Sequence, residues 1–247
     1  MKMCRFSGWS VVLIGTLLVQ NAYGWPCTIQ MWAYRQTARW LPPGLRLLVH
    51  ERPIDLRPRI CRAIRPADLR RLPEQFAYWT VEVPRQFHAS GRLSVLLRAI
   101  DESARWVLFY HDPAVLRGVP APIRAAFYRY TERHLPIIPP VFYGYRHPAL
   151  ERGDYRRWLS EIRKETVRFS RMLARPTIFG MPYDPRQWDT LDHRNMAFAI
   201  AALRLQYAIT RTVQYWIYIW KNGGGSLRGL PVPYSTRKHV FRDRHGK

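Results

Sequence analysis

The chain has 247 residues, with 40 Lys and Arg against 17 Asp and Glu, and a formal net charge of +23. Apolar residues make up 47% of it and aromatic residues 14%. This composition excludes a disordered basic tail, a coiled-coil array and a disulfide-rich scaffold, and it suffices for one domain with a core. The excess charge fits nucleic acid, an anionic membrane surface, or simply a composition that favours Arg over Lys.

The first 24 residues have the order of a secretory signal peptide. Lys2 and Arg5 precede an apolar run at 11–19, and Ala22-Tyr23-Gly24 places small residues three and one before the expected cleavage site. The run has about ten residues, whereas a membrane span needs about 20. We predict cleavage after Gly24 and an exported protein, periplasmic or secreted, with an uncleaved anchor as the alternative. Cleavage removes two basic residues and lowers the formal charge from +23 to +21.

Cleavage would also remove Cys4 and leave Cys27 and Cys61. Two cysteines in an oxidising compartment favour a disulfide, with two buried free thiols as the alternative. Neither cysteine has a neighbouring His or a basic helix terminus that would activate it, so we assign neither a catalytic role.

Proline divides the rest of the chain into blocks with helical spacing of apolar residues, which predicts an all-α fold. The only strand-like alternation of any length is at 76–83. Apart from the last helix, described next, the predicted helices are 30–41, 93–109, 122–134 and 153–173.

The strongest element is a helix at 193–221 that is apolar over most of its circumference, which is typical of a central core helix or a membrane span. Arg204 and Arg211 near its middle favour the core helix, because a charge there costs about 3 kcal/mol in a bilayer. Asp192 is the predicted cap at its start and Gly223 the predicted stop. The expected organisation is a helical domain at 25–222, around this helix, and a mobile basic tail at 223–247.

Common catalytic signatures are absent from the sequence: no phosphate-binding loop, no Gly-x-Ser-x-Gly elbow, no Cys-x-x-Cys and no His-Glu-x-x-His. Two local groups remain. His147 and Glu151 are four apart, a spacing that can hold a metal on one helix face, although a surface His beside a solvated Glu is the alternative. His111-Asp112-Pro113 is interpreted as a turn rather than a catalytic pair.

The segment WPCTIQMWAYRQTARWLP at 25–42 resembles the mature start of the zinc-dependent phospholipase C and single-strand-specific nuclease superfamily. In those secreted all-α enzymes the first Trp binds zinc through its free amino group and carbonyl, and a His follows on a helix that ends in Leu-Pro. The resemblance places Trp25 in the first position and Leu41-Pro42 at the helix end. The position of the His is occupied by Gln30.

A second segment, RWVLFYHDPAV at 105–115, is similar to the central His-Tyr-x-x-Asp-x-His-x-Pro-Leu-His block of the same superfamily. His111 and Pro113 match, but the other ligand positions are Arg105, Phe109 and Val115. His147 and Glu151 correspond to a later His-x-x-x-Glu pair, and the residues at 192–225 resemble the closing helix of bacterial relatives.

The resemblance implies hydrolysis of a phosphodiester by water activated on zinc. Because most ligand positions hold residues that bind zinc poorly or not at all, the first hypothesis is a non-catalytic protein without a cofactor. Its expected partner is anionic: a phospholipid head group, a glycan or a phosphoester. Nucleic acid is disfavoured by export. The residues left to bind a metal are Trp25, His147 and Glu151.

Two alternatives remain open. One is a phosphodiester hydrolase with a reduced zinc site around Trp25, His111, His147 and Glu151. The other is an unrelated basic envelope protein that binds anionic lipid or glycan.

The helix at 153–173 is a candidate binding surface under each of these hypotheses, because one of its faces is rich in Arg and Lys. That face would either bind a membrane surface or simply be solvated.

Overall fold

The computed structural model describes residues 24–50, 61–62, 64, 66–115 and 118–232. The signal-peptide prediction therefore lies outside the described residues, as does the basic sequence from 233 onward. Within the described ranges the chain is all helical, as predicted, and contains no strand. Its α-helices are α1 Cys27–Ala38, α2 Pro43–His50, α3 Pro66–Ala77, α4 Val83–Ser90, α5 Leu93–Tyr110, α6 Ala121–His134, α7 Pro148–Glu151, α8 Tyr155–Ala174 and α9 Met196–Asn222.

Short π-helical and 3-10 turns lie between some of these helices. A π-helical turn, Tyr78–Glu82, joins α3 to α4, and 3-10 turns occur at Leu135–Ile137, Pro176–Phe179 and Pro185–Thr190. The last two of these 3-10 turns lie between α8 and α9, in a connection of 21 residues without an α-helix.

Helix α9 is the centre of the fold and packs mainly against α5 and α1. Buried residues occur on it from Ala197 to Trp220, which confirms the prediction of a buried core helix. None of the helices in the described ranges combines the length and apolar character needed to cross a membrane.

Three polar residues of α9 are bonded to the backbone of the loop between α6 and α7. Gln206 donates to the Pro139 carbonyl at 3.1 Å, and Gln214 donates to the Gly144 carbonyl at 2.8 Å. Thr210 accepts a hydrogen bond from the amide of Tyr143. Because buried polar groups need such partners, these side chains fix the loop across α9.

Two apolar clusters lie along α9. The cluster at its C-terminal half is rich in aromatic side chains, and Trp158 of α8 stacks on Tyr215 with ring centroids 5.3 Å apart. The cluster at its N-terminal half contains Trp25, Phe127 of α6 and Trp188. The single helix α9 thus carries both halves of the core.

The strand-like alternation at 76–83 does not form a strand, because these residues form the end of α3, the π-helical turn and the start of α4. The buried side chains there include Phe76, Trp79 and Val83, which are three and four residues apart, as on one face of a helix. The hydroxyl oxygens of Thr80 and Tyr215 are 2.9 Å apart, and this hydrogen bond joins the π-helical turn to α9.

The predicted disulfide between Cys27 and Cys61 is present. It joins the first residue of α1 to the segment that precedes α3. The separation of 34 residues makes this a long covalent loop.

After α9 the chain turns back onto the domain over residues 223–232. Trp220 donates from its indole nitrogen to the Ser226 carbonyl at 2.9 Å, and Leu227, Leu230 and Val232 pack against the core. Gly225 lies so close to the Trp220 ring that an added Cβ would be 2.1 Å from it. The glycines after α9 therefore permit a close backbone approach as well as ending the helix.

The N-cap of α9 is Asn195, so the prediction of Asp192 was wrong. The Asn195 side chain accepts a hydrogen bond from the Ala197 amide at 2.9 Å. Asp192 makes the same kind of bond one turn earlier, to the amide of Arg194. Both residues are good caps, and the choice between them depends on where the helix is packed into the core.

Asn195→Ala is expected to lower the free energy of unfolding by about 1 kcal/mol, because it leaves the first amides of the longest helix without a side-chain acceptor. Asp192→Ala should cost less than half as much, since its bond lies in an exposed turn. Urea denaturation of the two variants measures both effects. A larger loss for Asp192→Ala would contradict the assignment of the cap.

Candidate functional site

Trp25, which occupies the first position of the resemblance, lies in the core with 2% of its surface exposed. Its ring is 5.7 Å from that of Phe127 and 5.8 Å from that of Tyr128. Its backbone carbonyl accepts a hydrogen bond from the side-chain amide of Gln30, one turn into α1. The carbonyl that the resemblance assigns to zinc is therefore bonded to the residue in the position of the missing His.

Phe109 of α5 lies beside this group. A Cβ added at Gly24 would be 3.5 Å from the Phe109 ring, and Phe109 itself packs edge-on against Trp106 and Tyr110. The position that would supply a carboxylate in the superfamily is thus filled by an aromatic ring. Val115, in a further ligand position, is half-buried just beyond the turn that follows α5.

Arg105 lies one helical turn before Phe109 on α5, and 5% of its surface is exposed. Its guanidinium group is 2.7 Å from the carboxylate of Glu102 and 3.4 Å from the carbonyl of Arg62. It also lies 5.4 Å from the ring centre of Trp106. Since its charge is paired within the protein, Arg105 is a structural cation and not a free anion receptor.

His147 is the N-cap of α7, with 8% of its surface exposed. Its Nδ1 accepts the amide hydrogen of Ala149 at 3.2 Å, and its Nε2 is 3.2 Å from Oε2 of Glu161. Burial, followed by the charge of Arg211, lowers the pKa of His147 to about 4. The imidazole is therefore neutral at pH 7, and both of its nitrogens are already bonded.

Glu151 forms an ion pair with Arg146. The structure therefore brings Trp25, Gln30 and Phe109 together, with Arg105 next to them on α5. It bonds His147 and Glu151 to other partners. No described contact joins these two residues to Trp25.

The described residues do not fit a zinc site. Nowhere in the described ranges do three or more His, Cys, Asp or Glu side chains converge as metal ligands would. Among the described His, Cys, Asp and Glu residues, His111 is the one with a buried side-chain atom that lacks a hydrogen-bond partner: this atom is Nε2, since Nδ1 is bonded to the Val107 carbonyl at 2.8 Å. A single imidazole cannot replace the four ligands that zinc prefers.

Asp112 follows His111 in the predicted turn, which is confirmed. Its carboxyl group is fully buried and accepts hydrogen bonds from the Tyr128 hydroxyl at 2.7 Å and the Ala114 amide at 2.9 Å. Burial raises the pKa of Asp112 from 3.8 to about 7, against the opposing effect of these two bonds. Because the Asp112 carboxyl group bonds to Tyr128 and not to His111, Asp112 and His111 are not arranged as a catalytic pair.

An ionic network between α8 and α9, which joins the buried Arg204 to the half-exposed Glu165, was not predicted from the sequence. Arg204 has no exposed surface, and its guanidinium group lies 3.4 Å from Glu165 and within hydrogen-bond distance of the Thr166 hydroxyl. It also donates to the His111 carbonyl at 3.3 Å. Arg211, two turns further along α9, is 3.9 Å from the same Glu165. The sequence signal for this network was the pair of arginines seven apart in an apolar helix.

The outer face of α8 carries the arginine-rich surface that the sequence indicated. The acidic residues of α8, Glu161 and Glu165, lie to one side of it. Glu161 is paired with His147 and Arg157, and Glu165 with Arg204 and Arg211. We call the following exposed residues the α8 basic face: Arg156, Arg157, Arg163, Lys164, Arg168, Arg171 and Arg175.

Six of the seven cations of the α8 basic face have no acidic partner among the described residues, Arg157 being the exception. All seven lie within less than half of the helix circumference, because they follow the spacing of 3.6 residues per turn. The result is a single surface, as long as α8, with uncompensated positive charge.

From the occupied ligand positions we expect the purified protein to bind less than one zinc ion per chain. Metal analysis after dialysis against a zinc buffer measures the ratio, with a chelator-treated sample as the baseline. Stoichiometric zinc that survives dialysis would contradict this expectation.

Asp112 should make stability depend on pH in a defined window. The unfolded carboxyl group ionises near its ordinary value of 3.8, whereas the folded group ionises at about 7. Between these values folding takes up a proton, so the free energy of unfolding contributed by Asp112 falls as the pH rises, and it is level above about 7. Asp112→Asn removes this dependence.

Urea denaturation across that window should show the stability of Asp112→Asn rising relative to that of the unmodified chain as the pH increases. Tyr128→Phe removes a hydrogen bond that favours the carboxylate, and should extend the window to higher pH. Parallel pH profiles for Asp112→Asn and the unmodified chain would show that the Asp112 carboxyl group is not perturbed.

Comparison of the chain with protein-family models, curated proteins and solved structures gave no match. The resemblance to the zinc-dependent superfamily therefore depends on the residues of its two quoted segments. At Trp25 the structure shows that Gln30, the residue in the position of the ligand, donates a hydrogen bond to the Trp25 carbonyl.

Proposed function

We propose that this chain is an exported, non-catalytic helical protein that binds an anionic partner through the α8 basic face. We propose further that it descends from the zinc-dependent phospholipase C and nuclease superfamily. Export is supported by the signal-like order of the first 24 residues and by the disulfide between Cys27 and Cys61, a bond typical of oxidising compartments.

The absence of catalysis is supported by the chemistry of the residues in the ligand positions. Gln30 bonds to the Trp25 carbonyl, Phe109 presents a ring, and Arg105 is neutralised by Glu102. Activation of water in this family needs clustered metal ions, and these side chains neither bind nor replace them.

The observation that carries the proposal is the unpaired charge of the α8 basic face. Exposed cations are ordinarily interspersed with acidic residues, but the two acidic residues of α8 are engaged by His147, Arg157, Arg204 and Arg211. Six cations on one helix face generate a positive potential that attracts anions over about a Debye length.

Replacing Arg163, Lys164, Arg168 and Arg171 together by Gln should weaken binding to vesicles of equal parts phosphatidylcholine and phosphatidylserine about 100-fold at low ionic strength. Each cation near an anionic surface contributes about 1 kcal/mol to binding. Two such contributions already correspond to more than a 10-fold change in the dissociation constant. Binding to heparin should weaken in the same direction. Co-sedimentation with vesicles and heparin chromatography measure the two effects.

The matched control replaces four exposed arginines on or beside other helices, Arg35, Arg39, Arg92 and Arg98, by Gln. It changes the formal charge equally, so a general charge effect would weaken both variants alike. The proposal requires the control to bind within about threefold of the unmodified chain. Equal losses in the two variants would show that the α8 basic face is not a specific binding surface.

A further inference from the structure

The end of the bundle at which α8 stops carries the two most exposed large apolar side chains of the described residues. Ile178 is 68% exposed and Tyr183 is 65% exposed, and both lie in the connection between α8 and α9. Single exposed apolar residues are ordinary, whereas exposed apolar side chains that lie near one another are typical of interaction sites, and these two belong to one short segment.

The backbone of this segment is held firmly against the core. Met181 donates its amide hydrogen to the Pro176 carbonyl at 2.9 Å, and Trp188 donates its indole hydrogen to the Pro182 carbonyl at 2.9 Å. Both Met181 and Trp188 are buried. The fold therefore fixes the segment while presenting Ile178 and Tyr183 to solvent.

Met196 adds a third apolar side chain, 39% exposed, at the start of α9. Its neighbour Asn195 donates to the Gly180 carbonyl at 3.4 Å, which places Met196 next to the segment that holds Ile178 and Tyr183. We call Ile178, Tyr183 and Met196 the apolar end.

Exposed cations surround the apolar end. Arg171 and Arg175 belong to the last turn of α8 and the residue after it, so the α8 basic face continues to this point. Arg186 and Arg194 are exposed on the other side, in the connection to α9.

Three aspartates also lie in this connection, and the protein engages each of them. Asp189 is 3.8 Å from Arg129 and 3.9 Å from Arg133. Asp184 and Asp192 accept amide hydrogens two residues ahead in the chain, and Asp192 is also 4.0 Å from the side chain of Arg194. The cations of α8 are not paired with them, so this end remains positively charged.

We propose that the apolar end and the adjoining α8 basic face dock on a bilayer that contains anionic phospholipid. This inference rests on the proposed function and specifies its partner. Cations attract the lipid head groups, while Ile and Tyr side chains enter the interface between head groups and acyl chains. A soluble polyanion would contact the cations but give no reason for the apolar residues. The docking is peripheral, since no described helix is suited to crossing the membrane.

The test is a double variant, Ile178→Ser with Tyr183→Ser, compared with Leu47→Ser with Val81→Ser. The control residues are 53% and 59% exposed and lie on α2 and the π-helical turn. Binding is measured to vesicles of equal parts phosphatidylcholine and phosphatidylserine, to phosphatidylcholine vesicles, and to heparin. We expect the first variant to bind the anionic vesicles at least about tenfold more weakly, with heparin binding unchanged, and the control to bind like the unmodified chain.

Salt provides a second measurement that does not depend on the variants. Because salt screens ionic contacts but not apolar insertion, the unmodified chain should stay partly bound to anionic vesicles at a salt concentration that releases it from heparin. The Ile178 and Tyr183 variant should lose this salt-resistant fraction.

The outcomes separate the two proposals. If the unmodified chain binds heparin but not vesicles, or if the Ile178 and Tyr183 variant binds anionic vesicles normally, membrane docking by the apolar end is refuted and the α8 basic face remains a binding surface. If the unmodified chain binds neither heparin nor anionic vesicles, the proposed function itself is refuted.

Discussion

The buried guanidinium group of Arg204 is the constraint on which the arrangement of this domain depends. A charge inside a core requires an opposite charge and further hydrogen bonds, and here Glu165 and Thr166 of α8 and the His111 carbonyl after α5 supply them. Arg204 thereby fixes which side of α8 faces α9. With Glu165 paired with α9 and Glu161 with His147 and Arg157, the other cations of α8 are left on the solvent side.

Groups of the protein are also bonded to one another at the position where the resemblance implies a metal. Around Trp25, Gln30 bonds to the Trp25 carbonyl, Phe109 packs beside Gly24, and Arg105 is paired with Glu102. On the α8 basic face, by contrast, six cations without an acidic partner lie together, which explains why we propose a binding role for α8 and not for the ligand positions.

Much of the fold was predictable because apolar spacing reports directly on which face of a helix is buried. The pattern at 93–109 predicted α5 within one residue, and the pattern at 153–173 predicted α8 within two at its start and one at its end. The alternation at 76–83 did not correspond to a strand, because the side chains buried there, Phe76, Trp79 and Val83, are spaced three and four residues apart, as on one face of a helix. The candidate site was predicted less well, since contacts such as that between His147 and Glu161 join residues on different helices.

The sequence by itself determined the helical class, the central helix and the total excess of positive charge, whereas it left the pairing of Cys27 with Cys61 open. Only the tertiary structure decided which of those charges are neutralised, because Arg204 and Glu165 are 39 residues apart in the chain and meet only when α8 packs on α9. It likewise decided that Ile178 and Tyr183 are exposed beside the remaining cations. Composition counts the charges and apolar groups of a chain, whereas packing determines which of them face a partner.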